Sequence, residues 1–383
     1  MIRDPHAIPP SARAVLTIDL GALRRNWATL DAASGRAACA GVIKANAYGL
    51  GIEQIVRALI DGGCTTFFVA TLAEARIVRD AEPGAAVYVL DGLLPGACAY
   101  YAGFDLRPVL SSLEQVREWC AYCDALGRRL PAAVHIDTGM NRLGMTHQEV
   151  AQLGGPERDL FAKFDCTLVM SHLACADERD NPMNAAQKAR FDALRALLPD
   201  APASLANSGG TFLGPDYHYD LVRPGIALYG GRAFVGAPNP MDWVVRLQAR
   251  ILQVRDIPAG EPIGYGATYR TARPARIATI ACGYADGFLR ALSGPSGTPG
   301  PVGYVGAHPV PVVGRVSMDL ITVDVTDVPE REALRGAWVE VMGARTTIDD
   351  LTDRAGTIGY ELLTRLGQRV LRVYRDGPRE DAV

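Results

Sequence analysis

Lys44 is the residue whose setting first suggests chemistry. Residues 37–43 before it are small and apolar, which is typical of a buried strand, and residues 52–60 after it carry apolar side chains at helical spacing. Lys44 therefore stands where a strand-to-helix loop begins, and catalytic groups collect at such positions in parallel α/β folds. The residue is compatible with a surface lysine or with an amine that forms a Schiff base with a carbonyl cofactor.

Polar or glycine-containing segments also follow four later predicted strands. They are residues 137–144 after the fifth strand, 171–173 after the sixth, 207–210 after the seventh and 223–226 after the eighth. Phosphate commonly binds beside the last two strands of a barrel. Ser208 and the glycines after it supply a hydroxyl and exposed amides at a helix start, and Gly225 lets the backbone approach an anion. A phosphate site beside a Schiff-base lysine indicates pyridoxal phosphate (PLP).

The elements that must position these residues are strands alternating with helices. The helical pattern is clearest at 72–79, 113–126 and 185–198. The candidate strands are 38–44, 65–70, 85–90, 106–110, 132–137, 165–171, 203–206 and 219–222. Eight strands in this alternation predict an α/β fold, a parallel (β/α)8 TIM-type barrel. The competing open doubly wound sheet is disfavoured because no G-x-G-x-x-G follows the first strand.

The sequence changes character after residue 236. Residues 237–240 are linker-like, and short apolar runs separated by turn residues follow them. Candidate strands there are 245–254, 275–281, 309–316, 320–325 and 338–342, and helical patterns return near 348–355 and 360–366. Near the N-terminus, residues 17–20 followed by Leu23, Trp27 and Leu30 resemble a capped amphipathic helix, with Thr17 or Asp19 near its start. We therefore expect an N-terminal segment at 1–14, a PLP-binding barrel at 15–238 and a mainly β domain at 239–383.

Length and composition are those of an ordinary two-domain globular enzyme. The chain has 383 residues, 49% of them hydrophobic. Its net charge of −3 gives no indication that it binds nucleic acid or an anionic membrane. No apolar run reaches the roughly 18 residues of a membrane span, and the N-terminus lacks an apolar signal core, so a cytoplasmic location is expected. The sequence has a single C-x-x-C, formed by Cys120 and Cys123, which favours reduced structural thiols. The histidines do not have the spacing of metal ligands, so no metal site is expected.

Six short motifs carry a family resemblance. They are Lys-Ala-Asn-Ala-Tyr-Gly at 44–49, Asp-Thr-Gly-Met-Asn-Arg-Leu-Gly at 137–144, Arg-Pro-Gly-Ile at 223–226, Gly-Tyr-Gly-Ala-Thr-Tyr at 264–269, Gly-Tyr-Ala-Asp-Gly at 283–287 and Gly-Arg-Val-Ser-Met-Asp at 314–319. In order and spacing they resemble the alanine racemase family over about residues 14–373. The resemblance implies a barrel followed by a β domain, PLP as cofactor, and a head-to-tail homodimer with shared active sites. The implied reaction interconverts L-alanine and D-alanine and supplies D-alanine for peptidoglycan.

The resemblance also implies roles for individual residues. Lys44 would hold PLP as an aldimine and act as the base on one face of the substrate α-carbon, and Tyr265 from the other subunit would be the base on the opposite face. The implied cofactor-binding residues are Lys44, Tyr48, Arg142, His172, Asn207, Ser208, Arg223, Gly225, Ile226 and Tyr360. The implied substrate-binding residues are Arg142, Met318 and Tyr284, the last of which would narrow the substrate entry.

Arg223 is the most informative of these residues about reaction type. The resemblance places it against the pyridine nitrogen, with His172 linked to it and helping to tune Tyr265. Because arginine stays protonated, it can donate a hydrogen bond to that nitrogen but does not readily give up a proton. The ring is then a poorer electron sink, which disfavours the transamination and other side reactions of a long-lived carbanion. That property fits a racemase.

One position departs from the family pattern. The family often has a lysine seven residues before the arginine of the second motif, carbamylated to an anion that orients that arginine. This sequence has His135 at that distance from Arg142. Histidine cannot replace a stable carbamate. A bound chloride, a neutral hydrogen bond and a shifted Arg142 are the alternatives.

Three other functions agree with part of the sequence. PLP-dependent amino-acid decarboxylases of a related fold usually have a carboxylate where Arg223 stands and a late catalytic cysteine motif that is absent here. Non-enzymatic PLP-binding barrel proteins lack a β domain, whereas this chain continues with Tyr265 and Met318. A serine or broad-specificity racemase differs mainly in pocket size, and one methylene or hydroxyl changes binding by only about 1–3 kcal/mol in a hydrophobic pocket.

Overall fold

The computed structural model describes residues 8–298 and 300–377, which divide into two units. The barrel unit comprises Leu23–Leu228 and Arg232–Met241. The β unit comprises the described residues up to Ala22, Tyr229–Gly231, and the described residues from Asp242 onward.

The elements alternate in the first part of the chain and are mainly strands in the second. The strands are β1 (Ala14–Asp19), β2 (Ala38–Cys39), β3 (Gly41–Val42), β4 (Thr66–Val69), β5 (Ala86–Val89), β6 (Arg107–Leu110), β7 (Pro131–His135), β8 (Asp165–Met170), β9 (Ala203–Ser204), β10 (Leu221–Val222), β11 (Val245–Ile257), β12 (Pro262–Ile263), β13 (Tyr269–Arg270), β14 (Ala275–Ile280), β15 (Val302–Val305), β16 (His308–Pro311), β17 (Ile321–Asp324), β18 (Trp338–Met342) and β19 (Leu371–Arg375). The helices are α1 (Leu20–Ser34), α2 (Lys44–Tyr48), α3 (Ile52–Asp61), α4 (Leu72–Ala81), α5 (Cys98–Gly103), α6 (Leu113–Leu126), α7 (His147–Gly154), α8 (Pro182–Arg195), α9 (Ser208–Thr211), α10 (Ile348–Ala355) and α11 (Gly359–Thr364).

Parallel pairing of successive strands builds the barrel. Hydrogen-bonded neighbours run in order from β3 to β9, and β10 pairs with β2, which leads directly into β3. The amide of Asp220 donates to the carbonyl of Ala203 at 3.0 Å, and the amide of Arg223 donates to the carbonyl of Ala206 at 2.9 Å, so the segments of β9 and β10 are joined as well. The ring is closed. The (β/α)8 prediction is confirmed and the open doubly wound sheet is wrong.

Capping residues determine where several barrel helices begin. Thr71 Oγ1 accepts a hydrogen bond from the amide of Glu74 at 3.3 Å, and Thr146 caps α7 in the same way. Helix α8 starts at Pro182, three residues before its predicted start. The side chain of Asn181 accepts from the amide of Met183, and proline is well suited to the first helical position because its missing N–H is not needed there.

The β unit is built on an eight-stranded sheet. Its strand order is β16-β15-β18-β11-β1-β19, with β14 paired to β11 and β17 paired to β14. Side chains of β11 alternate between buried and half-buried from Val245 to Ile251, as expected for a strand with one face on a core. The predicted strand at 309–316 is shorter than expected, because pairing with β15 ends at Pro311.

The N-terminal boundary differs from the prediction. The sequence places residues 15–22 in the barrel and a helix start at Thr17 or Asp19. Residues 14–19 instead form β1, which lies antiparallel to β11 and parallel to β19 within the β unit. All six residues of β1 are buried, so Thr17 lies within a strand. Asp19 Oδ1 accepts a hydrogen bond from the amide of Ala22 at 2.9 Å and caps helix α1, so the prediction of Asp19 as the helix start is confirmed.

Three further properties concern only the described residues. No helix among them is both long and apolar enough to cross a membrane. They contain no group of three or more His, Cys, Asp or Glu side chains placed to hold one metal ion. The eight cysteines are all free thiols.

Candidate active site

Lys44 begins a single left-handed helical turn, α2, just after β3. The four residues that follow it, 45–48, have φ between 53° and 55°, and none of them is glycine. Ala45, Ala47 and Tyr48 each cost about 1–2 kcal/mol in this conformation, which asparagine tolerates better, so the turn stores about 3–6 kcal/mol. Such a turn persists only when neighbouring groups hold it. The amide of Ile43 is one of these, since it donates to the carbonyl of Phe68 at 2.9 Å.

The environment of Lys44 favours its neutral amine. Burial lowers the pKa of the Lys44 amine, and the positive charge of Arg142 lowers it further. Asp91 and Glu74 act in the opposite direction with smaller effect. A lysine with a lowered pKa is a better nucleophile and base near neutral pH than a solvated one.

Four residues from three segments meet around the hydroxyls of Tyr48 and Ser208. Ser208 Oγ accepts hydrogen bonds from the amides of Gly225 at 2.8 Å and Ala227 at 3.4 Å. A Cβ atom on residue 225 would lie only 2.2 Å from Tyr48 Oη, so only glycine fits there. Ile226, between these two amides, is buried. The cluster places two hydroxyls and backbone at one point, as an anion site requires.

Asn207 positions this cluster by capping α9. Its Oδ1 accepts from the amide of Gly210 at 2.9 Å, and its Nδ2 donates to the carbonyl of Leu173 at 3.3 Å. The side chain therefore fixes the backbone that carries Ser208 against the segment after β8.

Arg223 is a buried cation held by the neighbouring strand ends. Its guanidinium donates to Ser204 Oγ, to the carbonyl of Ser171 at 2.5 Å, and to His172 Nδ1 at 3.4 Å. Burial lowers the pKa of Arg223 to about 9, which still leaves it protonated at neutral pH. Burial and the charge of Arg223 hold the pKa of His172 well below its usual range, so this histidine is neutral.

His135 stands where the family often has a carbamylated lysine, and it carries no charge. Burial lowers its pKa to about 4, with Arg223 as the next cause. Its Nδ1 lies 3.3 Å from Ser111 Oγ. Arg142 is exposed and makes no hydrogen bond or ion pair with the residues that the structure describes. The alternative in which His135 orients Arg142 by a neutral hydrogen bond is therefore not observed.

The loop that carries Arg142 is organised by one carboxylate. Asp137 Oδ1 accepts from the amides of Gly139 at 2.9 Å, Met140 at 3.0 Å and Asn141 at 3.1 Å. Asn141 has a φ of 55°, which this residue type tolerates better than most. The loop backbone is thus defined up to the residue before Arg142.

Within the β unit, Tyr265, Tyr284 and Met318 line one cavity of about 270 Å³ together with Arg290, Arg315, Val316 and Ser317. The amides of residues 284 and 285 donate to the carbonyls of Ser317 and Met318, both at 3.0 Å. A Cβ on Gly283 would lie 2.4 Å from the Met318 oxygen, so glycine is required for this approach.

Tyr265 projects from a tight turn and is 70% exposed in the single chain. The glycines on either side of it, Gly264 and Gly266, have φ of 71° and 72°. A Cβ on Gly266 would lie 2.8 Å from Arg315 Nη1, so the turn packs against that guanidinium. Tyr360, on α11 of the same unit, is 40% exposed and is not among the residues that line this cavity.

The predicted site residues fall into two groups. Those of the barrel unit, all of which follow the carboxyl end of a barrel strand, are Lys44, Tyr48, Arg142, His172, Asn207, Ser208, Arg223, Gly225 and Ile226. Those of the β unit are Tyr265, Tyr284, Met318 and Tyr360.

Two residues that contact this site were not predicted. Ser204 lies in β9 and binds Arg223, and nothing in the sequence pattern distinguishes it from other strand serines. Glu74 binds the backbone of the Lys44 turn, as Asn46 donates from its amide to Glu74 Oε1 at 3.0 Å. The spacing Thr71-x-x-Glu74 is a recognisable capping box, so the sequence marks Glu74 as a helix cap but not as a neighbour of Lys44.

Comparison with known proteins agrees with this arrangement. The family described as "Alanine racemase, N-terminal domain" matches residues 18–233, and "Alanine racemase, C-terminal domain" matches residues 244–374. An alanine racemase of Rhodospirillum rubrum is 49% identical over 96% of this chain and 97% of its own length. A biosynthetic alanine racemase of Agrobacterium fabrum is 46% identical over 94% of this chain and 93% of its own length.

The likeness extends to three dimensions. The crystal structure of an alanine racemase from Bartonella henselae with covalently bound pyridoxal phosphate matches the fold with a TM-score of 0.89. That protein is 39% identical in sequence, and the match covers 95% of this chain and 100% of the other. The family matches cover both domains, and the relatives match nearly the whole length of the chain. The chain therefore belongs to the alanine racemase family.

Proposed function

We propose that this protein is a PLP-dependent alanine racemase that interconverts L-alanine and D-alanine. The observation that carries the proposal is the contrast among the three lysines of the sequence. Lys163 is ion-paired with Asp124, and Lys188 is ion-paired with Asp192. Lys44 has no ion pair among the described residues, and its pKa is lowered rather than raised. It is the lysine suited to nucleophilic and base chemistry.

The residues after the last two barrel strands fit the phosphate of PLP. Ser208 Oγ already accepts hydrogen bonds from two backbone amides, and a hydroxyl has one donor and two acceptor positions. Its remaining proton is therefore available to a phosphate oxygen. Tyr48 supplies a second hydroxyl, and Gly225 and Ile226 supply backbone at close range. Tyr360 is proposed to complete the set.

Two bases are proposed to move the substrate proton. When bound, PLP withdraws electrons from the substrate α-carbon and makes its proton removable. Lys44 Nζ takes or delivers that proton on one face, and Tyr265 Oη does so on the other. The lowered pKa of Lys44 raises the share of neutral amine that can accept a proton near pH 7.

Arg223 is proposed to limit the reaction to racemisation. When PLP is bound, Arg223 would donate a hydrogen bond to the cofactor's ring nitrogen, and its guanidinium is itself held by Ser204 and Ser171. Because its pKa of about 9 keeps the guanidinium protonated at neutral pH, it donates a hydrogen bond at that position and does not readily transfer the proton. Neutral His172 accepts from Arg223 and fixes its orientation.

The substrate carboxylate is proposed to bind Arg142 and the backbone amide of Met318. The Arg142 side chain has no competing hydrogen-bond partner among the described residues, and a guanidinium matches a carboxylate in geometry. Tyr284 lines the same cavity as Met318 and is proposed to narrow the substrate entry.

We further propose a homodimer with shared sites. Tyr265 and Met318 are 70% and 54% exposed in the single chain, although a base and a carboxylate donor act best when water is excluded. A second copy that covers them gives each site Lys44 from one subunit and Tyr265 from the other. A cytoplasmic location is proposed from the free state of all eight thiols. A role in supplying D-alanine for peptidoglycan is proposed from the family alone.

A substrate screen tests the proposal. Purified protein with PLP is given each enantiomer of alanine, serine and lysine in turn, and formation of the opposite enantiomer is followed. We expect alanine to react fastest in both directions. Comparable rates with serine would show a broader racemase, and release of carbon dioxide without racemisation would overturn the proposal. Reduction with borohydride should fix the cofactor on Lys44 and not on Lys163 or Lys188.

A further inference from the structure

The carboxylate of Glu74 joins two loops of the barrel. Its Oε1 accepts the amide of Asn46 at 3.0 Å, while its Oε2 accepts the amides of Ala70 at 2.9 Å and Thr71 at 3.2 Å. Asn46 is the second residue after Lys44, and Ala70 and Thr71 form the corner between β4 and α4. One side chain therefore ties the left-handed turn after Lys44 to the next strand-to-helix corner.

The two oxygens serve different purposes. Capping of α4 uses Oε2, which accepts the amide of Thr71, together with Thr71 Oγ1, which accepts the amide of Glu74. The bond from Oε1 to Asn46 spans 28 residues and contributes nothing to that cap. A helix-capping role alone leaves half of the carboxylate unexplained.

The turn receives its second support through Asn46 itself. Asn46 Oδ1 accepts a hydrogen bond, at 2.9 Å, from the amide of Ile52, which is the first residue of α3. The backbone of Asn46 is thus fixed by Glu74 on one side and its side chain by α3 on the other. Because residues 45–48 all have positive φ, the turn depends on such external hydrogen bonds to keep its shape.

We propose that Glu74 is a positioning residue for Lys44, acting through the hydrogen bond from the Asn46 amide to Oε1. This bond holds the peptide between Ala45 and Asn46, the second peptide after Lys44, and so restricts the backbone from which the Lys44 side chain projects. The inference rests on the proposed function, since it assigns the purpose of the clamp to holding the amine of Lys44. The negative charge of Glu74 also favours the protonated amine, as a secondary effect.

The substitution Glu74→Gln distinguishes the roles of the two carboxylate oxygens. Glutamine keeps one acceptor oxygen and replaces the other with an NH2 group, which only donates. Two amides of the corner compete with one amide of the turn for the remaining oxygen, so the NH2 group is expected to face the amide of Asn46. Glu74→Asp keeps the charge but shortens the side chain by one methylene, so it too loses the bond to Asn46. The matched control is Thr71→Ala, which weakens the cap of α4 and leaves Oε1 in place.

Hydrogen exchange of the PLP-loaded enzyme is the first readout. In Glu74→Gln and Glu74→Asp, the amides of residues 45–50 should exchange about tenfold or more faster than in the parent protein, while those of residues 75–81 change little. In Thr71→Ala, the pattern should reverse. Unchanged exchange at 45–50 in both Glu74 variants, or equal acceleration there in Thr71→Ala, would overturn the clamp.

Kinetics is the second readout. If loss of the hydrogen bond misplaces Lys44, the two Glu74 variants should have kcat lowered about tenfold to a hundredfold, the effect of losing a hydrogen bond to a charged group. Their KM for alanine should be nearly unchanged. The yield of cofactor fixed to Lys44 by borohydride should fall in the same variants. Normal kcat and fixing yield together with accelerated exchange would show that the clamp does not position Lys44. A parent protein without racemase activity would refute the proposed function and leave the exchange result to decide on the clamp.

Discussion

Nδ1 of His172 lies 3.4 Å from Nη2 of Arg223. A guanidinium has only donors, so this contact requires a neutral His172 that accepts at Nδ1 and carries its proton on Nε2. His135, a buried histidine of the barrel, is neutral as well, because burial and the charge of Arg223 lower its pKa to about 4. The folded barrel thus contains two imidazoles that resist protonation.

The neutral histidines predict a loss of stability in acid. An unfolded histidine has a pKa of about 6.5, so below that pH the unfolded chain binds protons that the folded chain does not. The stability contributed by His135 is therefore present above pH 6.5 and is lost as the pH falls toward 4, by at most about 3 kcal/mol. Urea unfolding between pH 7 and pH 4 measures this change. His135→Gln should make the decline shallower, whereas His147→Gln, at an exposed site, should not.

The approach of Tyr48 to Gly225 predicts a coupled pair of substitutions. Gly225→Ala places a Cβ 2.2 Å from Tyr48 Oη and must displace that hydroxyl, so the dissociation constant for PLP should rise about tenfold or more. Tyr48→Phe removes the clashing oxygen, so the double variant should bind PLP better than the sum of the single effects implies. Gly103→Ala, where the new Cβ meets no atom within 4 Å, is the control. Strict additivity would show that the two residues do not meet as described.

The left-handed turn predicts opposite effects of one substitution at two sites. Ala45 is exposed with a φ of 54°, a conformation that glycine adopts without strain, so Ala45→Gly should stabilise the fold by about 1 kcal/mol. Ala185 is exposed in the right-handed helix α8, where the same change should destabilise by about 1 kcal/mol. Chemical denaturation of both variants gives the comparison. Destabilisation by Ala45→Gly would mean that the turn is not left-handed in solution.

The neutrality of His135 predicts that activity does not depend on bicarbonate. No stable carbamate forms on histidine, so removal and addition of bicarbonate should leave the racemisation rate unchanged. Varying the chloride concentration separately tests the alternative of a bound chloride. His135→Lys restores the family pattern and should make the rate respond to bicarbonate. A parent enzyme that already requires bicarbonate would place the anion elsewhere.

The shared site predicts recovery of activity when two inactive variants are mixed. Lys44→Ala and Tyr265→Ala homodimers each lack one base in every site and should be nearly inactive. After subunit exchange in equal amounts, half the dimers are hybrids, and each hybrid has one intact site, so roughly a quarter of all sites should recover. Differently tagged subunits confirm that hybrids form. Hybrids without activity would mean that both bases come from one chain.

The sequence alone determined the barrel and the mainly β second part, and it predicted the candidate residues of the site. Apolar runs of the right length predict strands regardless of what they pair with, and each motif, such as 44–49 or 223–226, is a short run of neighbouring residues. Neither signal depends on distant contacts. The cap spacing from Thr71 to Glu74 is local for the same reason.

Only the tertiary structure decided the remaining relationships. The sequence assigns residues 15–19 to the barrel, and only their pairing with β11 and β19, hundreds of residues away, makes them part of a strand of the β unit. Groups that are distant in sequence likewise produce three other properties of the site. They are the hydrogen bond that Oε1 of Glu74 accepts, the neutral state of His135 and the lowered pKa of Lys44. Long-range pairing and desolvation are properties of the folded chain as a whole, and no local pattern contains them.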